Sequence, residues 1–234
     1  MSKLMAVKKL FKLMMLEWKK LKRVSIISEV IIYLLVLMIM PMIFIKTVTP
    51  FFGESYAAFM ELNFNIQMGL VLFGGSLICQ VFIDEYKNKT ISLSFGYPIS
   101  RKKLFMAKVL FISLFIFLTT ILSYIFTGLT TYLLDQAFPF INGQPTNSDM
   151  IAYLKNMIFV SLMITLISFI PLFLFGIVKR GTITTVISSI VIMNSPKLSI
   201  YFNFDLETIL AVLCILGALS IYFSIKTVES VGEI

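Results

Sequence analysis

Residues 62–103 read LNFNIQMGLVLFGGSLICQVFI and then DEYKNKTISLSFGYPISRKK. The first half holds no Asp, Glu, Lys or Arg, and roughly 20 predominantly apolar residues carry an α-helix across a bilayer. The second half carries two acids and five bases in a chain where charge is scarce. An apolar run that stops at a polar island predicts a membrane-spanning helix followed by a solvent-facing segment.

Working outward, the same alternation recurs. Apolar runs at about 24–45, 62–83, 104–134, 151–178, 181–200 and 208–225 predict an all-α polytopic membrane protein, a single domain over 1–234 with six transmembrane helices. Run 104–134 exceeds what one crossing needs and is expected to begin in the interface around Lys108. Run 181–200 is strongly apolar only to Met193 and needs the residues up to Ile200 to cross. Composition agrees: 59% of residues are hydrophobic and 14% charged, against about 25% charged in soluble domains.

Residues 2–23 read as an amphipathic helix lying in the inner headgroup region. Leu4, Val7, Leu10, Phe11, Met14, Met15, Trp18 and Leu21 form one face, and Lys8, Lys9, Lys12, Lys19 and Lys20 the other. Lys8, Lys12, Trp18 and Lys19 are its expected membrane-surface contacts. Orientation follows from the basic residues. With both termini cytoplasmic and six crossings, Lys46, Lys155 and Lys197 are the only ones outside among the 20 in the chain, the bias that sets topology. The net charge of +8 therefore serves the membrane surface and not nucleic acid.

Several chemistries are excluded. With no histidine in the sequence, a Ser-His-Asp triad, a histidine metal site and a histidine proton relay are absent. Cys79 and Cys214 lie in apolar runs without ligand spacing, so neither a disulfide framework nor a metal site is expected. No phosphate-binding loop occurs: Gly74-Gly75 is not followed by Lys-Ser/Thr. Span centres lack the ionisable residues that an ion-coupled secondary transporter, the alternative reading, keeps there. A membrane enzyme lacks an acid–base pair.

Within the polar island, Thr90, Leu93 and Ser94 share one helical face and Ile91 and Phe95 another, ahead of the Pro98-Ile99-Ser100-Arg101 break. Glu85-Tyr86-Lys87-Asn88-Lys89-Thr90, Tyr97-Pro98-Ile99-Ser100-Arg101 and Phe105-Met106-Ala107-Lys108 together resemble the segment after the second span in membrane subunits of type-2 ABC exporters. The resemblance implies that 84–103 contains a coupling helix that docks in a groove of a separate ATPase subunit. Asp84, Glu85, Tyr86, Lys87, Asn88, Lys89, Thr90, Ile91, Leu93, Phe95, Pro98 and Arg101 are the docking residues so implied. ATP and Mg would then bind the partner and no cofactor this chain. A second membrane subunit, the same or a homologous chain, is implied too, in a bacterial cytoplasmic membrane. Small subunits of this kind serve bacteriocin immunity, bacitracin-like resistance and export of amphipathic peptides. Such a peptide, a peptide antibiotic or a lipid-like molecule is the expected cargo.

Two further sets stay open between packing and function. Gly74 and Gly75 give the second run a small-residue surface for close helix approach. Thr182, Thr185, Ser188 and Ser189 make a hydroxyl stripe on the fifth. Both are expected at helix packing surfaces, or at the translocation path or subunit interface.

Overall fold

The computed structural model describes residues 2–48, 53–87, 100–143, 145–199 and 205–230, with side chains from Phe11 to Thr227. Regular structure among these residues is entirely helical: α1 (Ser2–Lys20), α2 (Arg23–Thr47), α3 (Tyr56–Lys87), α4 (Arg101–Ala137), α5 (Asn147–Ile167), α6 (Thr182–Asn194) and α7 (Leu206–Ser230). Five of them, α2, α3, α4, α5 and α7, are long and apolar enough to cross a membrane. The expected fifth span is the exception. α6 has 13 residues, about 20 Å at 1.5 Å per residue, and is extended by a single 3₁₀ turn, Ser195–Lys197.

Within the connection expected over 46–61, residues 46–47 and 56–61 are helical. α2 runs on to Thr47, and α3 begins at Tyr56, where the Ser55 side chain accepts the Ala58 N–H at 3.2 Å. α5 opens with a capping box, in which Thr146 and Asp149 satisfy each other's first-turn donors.

Burial orders the helices. In α3, 72% of the most apolar stretch is buried, against 17% in α2. α3 is thus the internal element, while α2 turns Ile31, Ile32, Leu35 and Ile39 outward, and α6 does the same with Ile183, Ile187 and Val191. In a membrane such faces meet lipid or another helix without penalty.

Three glycines let backbones approach. A Cβ on Gly74 would lie 2.5 Å from Ser168 Cβ of the α5 connection. One on Gly75 would collide with Ser189 Oγ of α6, and one on Gly217 of α7 with the Leu166 carbonyl of α5.

α5 does not stop at Ile167. After a turn at Ser168-Phe169 the chain winds through Pro171 into a π-helical segment, Leu172–Val178. The Ser220 hydroxyl of α7 stitches this break, accepting the Phe173 N–H at 3.0 Å and donating to the Ile170 carbonyl at 3.2 Å. A hydroxyl from a neighbouring helix is one way freed backbone groups are satisfied away from water. A second π-helical turn, Cys79–Ile83, interrupts α3, and the two lie side by side, with Gly176 facing Ile78. π-turns are rare and concentrate at functional sites.

Candidate functional site

At the Lys87 end of α3, four charged side chains from three helices meet. Lys108 of α4 points back across α3. Its Nζ lies 2.8 Å from Glu85 Oε2 and 3.1 Å from Glu17 Oε2, and it donates to the Val81 carbonyl at 2.9 Å. Val81 belongs to the π-turn, so the irregular backbone is where Lys108 takes hold. Lys20 of α1 closes the ring, 3.0 Å from Glu17 Oε1 and 3.5 Å from Glu85 Oε1. Glu17 and Lys108 are buried, at 2% and 4% exposure. Burial works against the Lys20 ammonium, but the Glu17 and Glu85 carboxylates outweigh it, and its pKa is raised. Among the described residues, two acids and two bases make the cluster neutral.

Buried charge persists only when paired and hydrogen-bonded. Lys108 meets this by donating to the Val81 carbonyl and by lying within ion-pair distance of both the Glu85 and Glu17 carboxylates. Glu17 is held in place because α1 packs on α4: Trp18 sits with its ring centroid 5.5 Å from Phe115 and 6.2 Å from Phe111.

Across α3, the turn between α5 and α6 makes a second contact. Arg180, held at a positive φ of 50°, lays its guanidinium over the Tyr86 ring at 4.3 Å. Lys87 Nζ donates to Thr182 Oγ1 at 3.1 Å. One level deeper, Gln80 donates to Glu29 at 2.9 Å and to Ser76 at 3.1 Å, tying α3 to α2.

The residues expected to dock a partner are therefore unequal. Asp84 and Lys87 are exposed, Tyr86 is half-buried under Arg180, and Glu85 turns inward to Lys108. Arg101 opens α4. Asn88, Lys89, Thr90, Ile91, Leu93, Phe95 and Pro98 lie outside the described residues.

On α1, Lys12 and Lys19 are exposed, while the Lys8 side chain is outside the described set. Trp18, expected at the lipid interface, packs instead on the aromatic face of α4. Phe11 and Met15, expected on the same face as Met14 and Trp18, are 56% and 57% exposed. The face that meets α4 is Leu13, Met14, Glu17, Trp18 and Leu21. Thr185 and Ser189 are fully buried against α3, and both donate to backbone carbonyls of their own helix. Ser188 does likewise and is half-buried, as is Thr182.

Sequence reasoning missed Glu17. The signal was present: it is the lone acid among the first 28 residues, and it sits at the spacing of Leu13, Met14, Trp18 and Leu21 rather than among the lysines. The π-turn that brings Val81 to Lys108 leaves no such mark.

Comparison with known proteins identifies the family. The profile of the ABC-2 family transporter proteins matches residues 13–195, from α1 through the cluster to the 3₁₀ turn after α6. The chain belongs to the ABC-2 transporter family. This ABC-2 protein is also 29% identical over 187 residues to the uncharacterized protein YcbO of Bacillus subtilis (strain 168), covering 78% of this chain and 79% of that one. No solved structure matches it. As an ABC-2 protein it is a membrane protein and a membrane subunit of an ABC transporter. Such permeases are normally non-catalytic and work with an ABC ATPase carried on a separate subunit.

Proposed function

We propose that this permease subunit serves an ATP-driven exporter, and that residues 84–103 are where its ATPase subunit docks. The observation that carries this reading is the mounting of the Lys87 end of α3. It is held by Glu17, Lys20 and Lys108 on one side and by Arg180 and Thr182 on the other. A push from outside on the segment that leaves this end reaches α1 and α4 through the buried cluster, which a solvated loop that merely fixes topology does not require. ATP and Mg belong to the partner, whose closing and opening rocks the helices between two states.

In this reading the chain crosses the bacterial cytoplasmic membrane six times with both termini inside, and the stretch 181–200 completes the fifth crossing. Two such membrane subunits, identical or homologous, face each other. The outward apolar faces of α2 and α6 suit a dimer seam and a path for an amphipathic peptide, a peptide antibiotic or a lipid-like cargo. Relation to bacteriocin-immunity and bacitracin-resistance exporters belongs to the same proposal.

The test is co-purification. The wild-type chain, expressed with a candidate ABC ATPase from the same genome, should retain that subunit through affinity purification. Replacing 86–90 by a Gly-Ser stretch should release it while the membrane chain stays folded. Transport by this chain in vesicles without any ATPase would overturn the reading.

A further inference from the structure

The two contacts that hold the Lys87 end of α3 differ in kind. On the α1 side the joint is buried: the Lys108 side chain is 5% exposed and that of Glu17 3%. On the α6 side the joint lies at the surface, with Lys87 and Arg180 both exposed. Removing one partner of a buried pair strands a charge away from water, so such a joint resists opening. Exposed ion and ring contacts are worth little each and exchange readily with water. A displacement of the chain just beyond Lys87 meets a stiff connection on one side and a yielding one on the other.

We propose that Lys108 is a positioning residue that locks α1 to the Lys87 end of α3, so that α1 follows that end when it moves while the Arg180 turn slides past. The proposal rests on the reading above, in which an ATPase subunit drives the segment. Three observations support it. Lys108 bridges Glu17 of α1 and Glu85 of α3 through one nitrogen, so neither helix shifts without breaking a bond to it. Among the described residues the cluster is neutral and each acid lies within 3.5 Å of a base, which suits an internal joint. The third concerns what hydrophobic contact does not supply. Trp18 against Phe111 and Phe115 gives α1 adhesion to α4, but apolar faces slide by small steps at little cost. Two carboxylates on one ammonium fix the register of α1 along α3.

α1 then acts as a moving element at the membrane surface. Phe11, Met15 and Leu16, all exposed on its free side, travel through the headgroup region with each stroke.

Two measurements test this. In the first, the chain alone in lipid nanodiscs is followed by amide hydrogen exchange. Lys108→Met should speed exchange of the 13–21 peptide by about a hundredfold or more, as for a broken buried pair, while peptides of α5 and α7 stay as in wild type. If Lys108→Met does not fold, the paired change Glu17→Gln with Lys108→Met removes one charge of each sign and should show the same local loosening.

In the second, the complex with the ATPase subunit is assayed. The paired variant should keep the ATPase bound at wild-type stoichiometry and lose most of the influence of the membrane chain on its hydrolysis rate. Wild-type exchange and wild-type hydrolysis in the paired variant would overturn the lock. Loosened exchange in a chain that binds no ATPase supports the lock and overturns the exporter reading instead.

Discussion

The two ends of α3 solve one problem with opposite chemistry. At the Lys87 end, Glu17, Lys20, Glu85 and Lys108 form a charged cluster. Toward the Tyr56 end, where the Tyr56 hydroxyl itself donates to Asp135 at 3.3 Å, the fully buried network two to three turns in is neutral. Gln67 donates to Asn63 at 3.3 Å and to Thr127 at 3.2 Å, Asn63 donates to Tyr153 at 3.3 Å, and Tyr153 donates to the Tyr124 carbonyl at 2.7 Å. Asn63, Gln67 and Thr127 are all fully buried. Both networks tie α3 to α4, one adding α1 and the other α5.

Charge is tolerated at the end that lies beside the polar island, where water is close and several cations can share two carboxylates. Each ionised side chain at a span centre costs about 2.5–3.5 kcal/mol on insertion scales, so deeper in the protein the links are amides and hydroxyls. The comparison teaches that α3 is anchored at both ends, but rigidly and with a fixed register only at the charged one.

Breaking the charged end should cost most. Lys108→Met removes the buried ammonium from beside Glu17 and Glu85, and a destabilisation of about 3–5 kcal/mol is expected for a broken buried pair. Thermal unfolding in detergent measures it; a loss smaller than that of Tyr153→Phe would reverse the ranking of the two ends. Next comes a contact that belongs to neither end. Gly217→Ala drives a methyl into the Leu166 carbonyl, and overpacking of about 1–3 kcal/mol should separate α7 from α5 without touching either network, read as faster cleavage at a protease site placed in the 135–150 connection.

The neutral end follows. Tyr153→Phe removes the hydroxyl shared by Asn63 and the Tyr124 carbonyl, at about 0.6–1.7 kcal/mol for a hydrogen bond between membrane helices, and ATPase binding should be unchanged. The smallest effect is the titration of Lys20. Its pKa is raised, so its contribution is complete below its ordinary value of 10.5 and fades only as pH climbs through the raised one. The Lys20 side chain is 43% exposed, so screening keeps the change small. Attachment of α1, followed by Trp18 fluorescence, should stay flat from neutral pH to the ordinary lysine range and weaken slightly above it; a fall at acid-to-neutral pH would point to another group.

Trp18 shows how far pattern reading reaches. Spacing reads α1 as amphipathic and puts Trp18 near the interface, on one face with Phe11 and Met15. A periodicity states that a stripe avoids water and does not state whether lipid or protein covers it, since both are apolar. α4 supplies Phe111 and Phe115, and the stripe divides: Met14 and Trp18 go to protein, Phe11 and Met15 outward. In the sequence Thr185 and Ser189 stay open between packing and a path wall, and in the structure Ser189 lies where Gly75 lets α3 approach. For α6, apolar composition ran past the helix itself, which ends at Asn194 ahead of the 3₁₀ turn.

What the sequence determined alone is the class: long apolar runs broken by basic islands leave an all-helical membrane protein as the consistent outcome, because unpaired backbone groups are intolerable in hydrocarbon. The quoted residues around Glu85 and Arg101 carried the family as well. Only the tertiary structure decided that Glu85 faces inward, that Glu17 is its companion and that Lys108 joins them. Those three residues are separated by dozens of positions along the chain. Their meeting depends on where α1 lies on α4 and on a single π-turn in α3, and a local sequence pattern encodes neither.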